Sequence, residues 1–448
     1  MRGNTLFSSV IWALPFTGII LSMAICPLIA PRLWSQHYGK IIAAWCFGLL
    51  AFVFIISGWK PTFSLSLHSL NDHYLPFIIL VAGLYSIAGG IKIRIQTPGT
   101  PLSNTIFLGL GSLLASVLGT TGAAMVLIRP FMEMNAHRNI RRHQIMFFIF
   151  SVANIGGSLT PIGDPPLYIG FLQGVPFFWT TLHLLFPFLA IFIPLMIIFY
   201  WVDFYFYRKE DPITERFHGE YAPASKERLI EIDGIPNILA ILGVIALVII
   251  SSLWPQKFVT WSDWTVGDAI RNIGIIIIAL SSYKLTSPLI RIDNNFDWHP
   301  VQEIAKIFAG IFITVTPVIE MLKLGNNGPF HTLSAFLMPN GAPKNNGFFW
   351  IAGGLSAWLD NAPTYLVFFH FAGGDAGTLT TTFAKTLTAI SAGAVFMGAL
   401  TYIGNAPNFM IKSIAEESGI KMPSFFGYIA WSAVILLPLL WLVSFFFS

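Results

Sequence analysis

The sequence predicts an all-α polytopic membrane protein: about ten transmembrane helices plus two re-entrant hairpins, in two inverted-topology repeats with broken helices. Three observations carry this reading. The 448 residues are 55% hydrophobic and only 10% charged, with a mean hydropathy of +0.71, whereas a soluble domain carries roughly 25% charge. Apolar stretches of spanning length recur along the whole chain. The second half repeats the interrupted segments of the first at a constant offset.

A helix needs about 20 apolar residues to cross the hydrocarbon core. Uninterrupted candidates are Val10–Ala30, Lys40–Trp59, Tyr74–Ile93, Phe177–Tyr207, Pro236–Trp254, Asn272–Pro288, Gln302–Leu324 and Ser424–Phe447. Val10–Ala30 is longer than a signal-peptide core and lacks a small-residue cleavage site, so it reads as a span. Four further segments, Leu102–Met134, His143–Gly174, Gly347–Ala372 and Thr382–Ile414, are broken by Gly, Pro and polar residues. Lipid tolerates no exposed irregular backbone, so these breaks must face protein or a wet cavity.

Charge sets the orientation. Arg32 and Lys40, Lys92 and Arg94, Arg138 to Arg142, and the Arg208–Gly234 connection occupy alternate loops, while Lys60, Lys257 and Arg271 are nearly alone on the other side. The richer side reads as cytoplasmic. Both termini then lie outside, and Leu102–Met134 enters and leaves from the cytoplasm. The domains are an N-terminal repeat (1–207), a cytoplasmic linker (208–234) and a C-terminal inverted repeat (235–448). A net charge of +4, dispersed over loops, gives no nucleic-acid partner; membrane lipid is the expected surroundings. Cys26 and Cys46 form no disulfide or metal pattern, and the histidines show no ligand spacing.

The repeat is explicit. Leu114 to Thr121 align with Leu355 to Ala362, and Leu159 to Pro166 with Leu400 to Pro407. Both alignments are offset by 241 residues (360 − 119 and 404 − 163), and the motifs stand 44 apart in each half (163 − 119 and 404 − 360). An odd number of spans per half turns the second copy over, so its hairpin dips in from outside. Paired broken helices in inverted repeats mark alternating-access transporters, with the site at the repeat interface.

The breaks offer oxygen donors. The hairpin tips carry Thr120, Thr121, Asp360 and Asn361; the broken helices carry Asn154, Ser158, Thr160, Asp164, Thr401, Asn405 and Asn408. A charge at the bilayer centre costs roughly 2.5–3.5 kcal/mol on insertion scales, which makes Asp164 and Asp360 functional candidates. Hard oxygen ligands suit Na⁺, Li⁺ or H⁺ as transported ions, with no resident cofactor. The plainer alternative is that Asp164 and Asp360 cap half-helices, since Pro165 and Pro363 follow them; Asn154, Ser158 and Asn408 are equally the small polar glue of membrane helices. Arg129 and Glu133 read as snorkelling residues near the cytoplasmic surface, and Asp203 as interfacial.

At these residues the chain resembles the ion-transporter superfamily, which includes divalent-anion/sodium symporters, arsenite permeases, citrate–metal symporters and D-type bacterial sodium/proton antiporters. Asn154-Ile155-Gly156-Gly157 with Pro161-Ile162-Gly163-Asp164, and Asp360-Asn361-Ala362-Pro363, look most like the antiporter branch. The resemblance implies a bacterial inner-membrane, multi-pass homodimer that moves its site by an elevator or rocking exchange. Dicarboxylate symporters carry Ser-Asn-Thr at both tips; here the tips read Gly119-Thr120-Thr121 and Asp360-Asn361-Ala362. An anionic Asp360 favours a cation, so the expectation is sodium (or lithium)/proton antiport, with protons and Na⁺ competing for Asp164 and Asp360. The alternative is a cation-coupled citrate or dicarboxylate transporter, a metal–citrate complex softening the repulsion. An intramembrane aspartyl protease is disfavoured, because the repeat explains both aspartates without a peptide substrate, and no enzyme activity is expected.

The orientation is directly testable. In a variant lacking Cys26 and Cys46, a single cysteine in the Arg208–Gly234 connection should resist an impermeant thiol reagent in intact cells. Ready labelling from outside would invert the topology.

Overall fold

The computed structural model describes residues 7, 9–210, 230–257 and 264–448. The N-terminal repeat comprises α1 (Leu14–Ile29), α2 (Pro31–Ser57), α3 (Trp59–His68), α4 (Leu75–Ala88), α5 (Pro101–Leu118), α6 (Thr120–Met134), α7 (Arg142–Ser151), α8 (Pro165–Leu172) and α9 (Phe177–Lys209). The C-terminal repeat comprises α10 (Ile235–Ser251), α11 (Val266–Leu285), α12 (Pro288–Asp293), α13 (His299–Lys323), α14 (His331–Leu337), α15 (Asn345–Leu359), α16 (Asn361–Phe371), α17 (Ala376–Thr380), α18 (Ala384–Met397), α19 (Ala406–Glu417) and α20 (Phe425–Ser444). Among the described residues eight helices are long and apolar enough to cross a membrane, and Ile235–Ser251 and Ala384–Leu400 are shorter apolar ones. The chain is an all-α multi-pass membrane protein.

Several boundaries differ from the expectation. The second span begins at Pro31, not Lys40, because Pro at the first helical position suits a helix start and only Ala30 separates α1 from α2. The third span is not Tyr74–Ile93 but one 30-residue helix, Trp59–Ala88. Its polar stretch Ser69–Tyr74 winds as a π-helix rather than a loop. That departure from α geometry lets Ser69 Oγ meet Thr316 Oγ1 of α13 at 3.0 Å. The linker's residues 211–229 lie outside the described residues, but its end is structured. Ile230–Asp233 pairs antiparallel with Lys92–Ile95, and Lys92 Nζ reaches Asp293 Oδ2 at 2.6 Å. This two-stranded ribbon ties the halves together.

Both hairpins form. Gly119 ends α5 and starts α6, and Gly99 N donates to Met134 O at 2.8 Å, so the two ends meet on one face. In the second hairpin Asp360 alone joins α15 to α16, and Phe348 at its entrance lies 6.0 Å from Phe371 at its exit, ring to ring. The hairpins and broken helices of the two repeats pack into one cluster, α16 on α8, α19 on α6 and α7, and α20 on α9. Around it, α13 packs on α2 and on α16, and α11 on α4.

The first hairpin is fastened at its open end. Asp203, read as interfacial from its position near the end of the span, is fully buried within the protein. It accepts hydrogen bonds from Arg138 (3.2 Å), Gln144 (3.0 Å) and Asn104 (2.8 Å), with His143 Nε2 at 2.7 Å. Arg138 also reaches Glu210 at 2.6 Å. Burying such charges is costly unless they are paired and hydrogen-bonded, as they are here. Asp203→Ala should therefore cost about 3 kcal/mol, read as a lowered melting temperature of the detergent-solubilised protein. An unchanged melt would contradict the assignment.

Candidate transport site

Four helix starts converge. Asp164 is the N-cap of α8 and Asn405 that of α19, while Thr120 and Asn361 open α6 and α16. Three of these side chains donate to the fourth. Thr120 Oγ1 donates to Asp164 Oδ1 at 2.8 Å, Asn361 Nδ2 to Asp164 Oδ2 at 2.5 Å, and Asn405 Nδ2 to Asp164 Oδ1 at 3.3 Å. Thr120 and Asn361 occupy equivalent repeat positions (361 − 120 = 241). One hairpin tip from each repeat thus grips one oxygen of the same carboxylate. The positive ends of the half-helix dipoles favour negative charge there.

This geometry bears on the capping alternative. The Asp164 side chain makes no cap hydrogen bond within α8; its oxygens are turned to Thr120 of its own repeat and to Asn361 and Asn405 of the other. Asp360 does accept from Ala362 N, at 3.5 Å, and so partly caps α16. Its backbone is the more telling feature. Asp360 has φ 72° and ψ 144°, nearly the conformation of Gly119 (φ 77°, ψ 149°), its counterpart in the other repeat. A side chain at such angles costs about 1–3 kcal/mol. Glycine occupies the turn in one copy because the turn demands it; aspartate in the other copy carries strain for its carboxylate.

The remaining candidates divide. Asn154 Nδ2 donates to Ile149 O and Asn408 Oδ1, its Oδ1 accepts from Asn405, and Asn408 Nδ2 donates to Gly398 O and Thr401 O. This chain of amides interlocks the two breaks. Thr160 and Thr401 each give their hydroxyl to a hairpin carbonyl, Ser116 O and Ala357 O, the same bond in both repeats. Gly163 and Gly404 sit against the carbonyls of Gly157 and Gly398, where no Cβ would fit. Ser158 donates within its own turn to Ile155 O and is not brought to Asp164. Thr121 faces open space.

That space is of two sizes. A cavity of about 40 Å³, room for a few waters or a bare cation, is bounded by Asp164, Asp360, Thr120, Thr121 and Asn405, with Phe77, Tyr168 and Phe308 also lining it. Both aspartates face it. Beside it Asn361 Oδ1 is buried and has no hydrogen-bond partner, an acceptor suited to a cation. A second cavity, about 490 Å³, adjoins at Asp360, Asn405 and Thr121 and runs between Trp34, Tyr85, Arg129, Asp297, Glu303 and Glu417. These are the ends that the charge pattern assigns to the cytoplasm. Among the described residues no cluster of three or more His, Cys, Asp or Glu could hold a resident metal. Sequence reasoning missed Tyr85, Tyr168 and the Phe77–Phe308 stack (4.5 Å), because aromatic residues on ordinary spans carry no signal beyond packing.

A family model named CitMHS_2, described as "Putative citrate transport", matches residues 5–448. The chain belongs to this family. No curated protein matches it. CitMHS_2 membership supports a membrane transporter and is consistent with a relation to the citrate/dicarboxylate permeases. It favours the alternative reading of the sequence over antiport, whose motifs no comparison supports. Within the antiporter-like run, the close approach of Gly163 to the Gly157 carbonyl, repeated at Gly404 and Gly398, serves the break itself.

Strain and function should separate at one residue. Asp360→Gly should stabilise the protein by about 1 kcal/mol, measured as a raised melting temperature, while abolishing transport. A lower melt with transport intact would make Asp360 a structural cap.

Proposed function

We propose that the chain moves citrate, or a closely similar carboxylate, across a bacterial inner membrane by alternating access, coupled to a cation held at Asp164 and Asp360. The observation that carries this reading is the adjacency of two cavities of different size at the hairpin tips. About 490 Å³ lies within the roughly 300–1,000 Å³ range of small-molecule sites. About 40 Å³ suits a bare Na⁺, a Li⁺ or a proton carrier with a water or two, and is far below the range of small-molecule sites.

The larger cavity is bordered by the start of α19 at Asn405, Ala406 and Pro407; Pro407 has no N–H and Asn408 N donates to Asn405 O, so the Ala406 N–H and the positive end of the helix dipole are what a carboxylate meets there. Its wall is otherwise acidic, with Asp297, Glu303, Asp360 and Glu417 against Arg129. Free citrate, a trianion, meets repulsion there. Citrate complexed with a divalent cation carries a single negative charge and meets little, so the complex is the form this wall supports. In the cycle, the cation occupies Asp164, Asp360 and Asn361 Oδ1, the carboxylate rests against the neighbouring helix start, and the hairpins swing both across together.

Sodium/proton exchange without an organic solute is the second reading. The small cavity and its two aspartates favour it, but it leaves the larger cavity without a use.

One pair of assays separates the two. Right-side-out vesicles should accumulate labelled citrate, more strongly with Mg²⁺ present. Everted vesicles given Na⁺ or Li⁺ without citrate should keep their respiratory pH gradient. Dissipation of that gradient with no citrate uptake would restore antiport.

A further inference from the structure

We infer that Arg129 is the residue that recognises the solute's carboxylate in the inner cavity, a role that rests on the citrate reading above. From sequence alone Arg129 looks like a charge anchoring a hairpin at the membrane surface. Its surroundings differ from that expectation. The side chain is half-buried and borders the 490 Å³ cavity, with Tyr85, Met125 and Glu417 among the residues around it.

What distinguishes Arg129 is that its guanidinium is uncommitted. Among the described residues it makes no hydrogen bond, no ion pair within 4.0 Å and no stacking on a ring; Glu417 and Glu133 act on it only as more distant charges. Among the described residues the other deeply placed arginines each have at least one direct partner, although Arg271 Nη2 and Arg291 Nε and Nη2 are left over. Arg138 holds Asp203 and Glu210, Arg271 holds Asp268 at 2.8 Å, and Arg291 donates to Ser86 O at 2.7 Å. A half-buried cation without a direct partner, facing a cavity in a transporter, is a site for an anion.

The cavity leaves few alternatives. Among the described residues its remaining charged walls are acidic, and His299 is the one other basic side chain on it. A carboxylate entering this space therefore has one fork of fixed N–H donors to meet, and guanidinium binds carboxylate through two parallel bonds. Arg129 lies nine residues beyond Thr120 (129 − 120), so roughly 13 Å along α6. It rides on the same hairpin as the tip that grips Asp164 and travels with the site. Its place is the cytoplasmic approach, one end of a path whose other end is the start of α19.

The test is kinetic, in proteoliposomes of the whole protein with citrate and Mg²⁺ offered at the cytoplasmic face. Arg129→Gln should raise KM for citrate about 10- to 100-fold, the worth of a charged hydrogen-bonded pair, with kcat within about twofold of wild type. Arg129→Lys should lie between, because a point charge replaces the fork only in part. An unchanged KM in Arg129→Gln, or a fall in kcat alone, would overturn the assignment. If Arg129→Gln fails to reach the membrane, Arg129→Lys decides: a KM raised at least threefold supports the role and an unchanged KM ends it. Failure of the wild type to take up citrate at all would remove the citrate reading itself, an outcome visible before any variant is compared.

Discussion

Everything in the core is organised by one carboxylate that has hydrogen-bond donors but no basic partner. Asp164 is 1% exposed, accepts from Thr120, Asn361 and Asn405, and forms no ion pair among the described residues. Burial of a charge is costly unless it is paired. Three donors and four converging helix starts offset part of that cost, and a mobile cation would offset the rest. The hairpins have to reach the centre of the helix cluster to supply those donors. The helices have to break so that Asp164 and Asn405 stand at helix starts, and the glycines have to be there so that the breaks can touch.

The two repeats share a backbone and divide the chemistry. Thr160 and Thr401 make the same hairpin contact, and Gly119 and Asp360 make the same turn. Yet Asp164 is answered by Asn405, and Gly119 by Asp360. A strictly symmetric pair would place two aspartates at the breaks or none at the tips. The observed arrangement puts one carboxylate on each repeat and turns both onto one small cavity.

The repeat, the hairpins and the broken helices were legible in the sequence, because Gly, Pro and Thr recur at fixed spacing and few sequences interrupt apolar segments twice at one offset. Less legible was which polar residue does what. Asn154 and Asn408 look like ligands but spend their amides on each other and on backbone carbonyls. Ser158 closes its own turn. The helix Trp59–Ala88 was hidden by Ser69–Tyr74, whose polar residues resemble a loop and instead form a π-helix against α13. Arg129 was legible as a charge and not as a cavity wall, since facing lipid or facing a cavity depends on neighbours from α4, α13 and α19 that no local pattern specifies. The solute was the least legible feature: the motifs around Asp164 belong to the breaks, and breaks serve many cargoes.

If Asp164 ties the movement of solute to the movement of a cation, then exchange and accumulation must come apart when its charge is removed. In proteoliposomes carrying Asp164→Asn, labelled citrate should still exchange with unlabelled citrate across the membrane at a rate near wild type. Accumulation driven by a cation or proton gradient should fall to background. A variant that still concentrates citrate against its gradient would show that coupling resides elsewhere and that the grip of the two hairpin tips on Asp164 serves the fold alone.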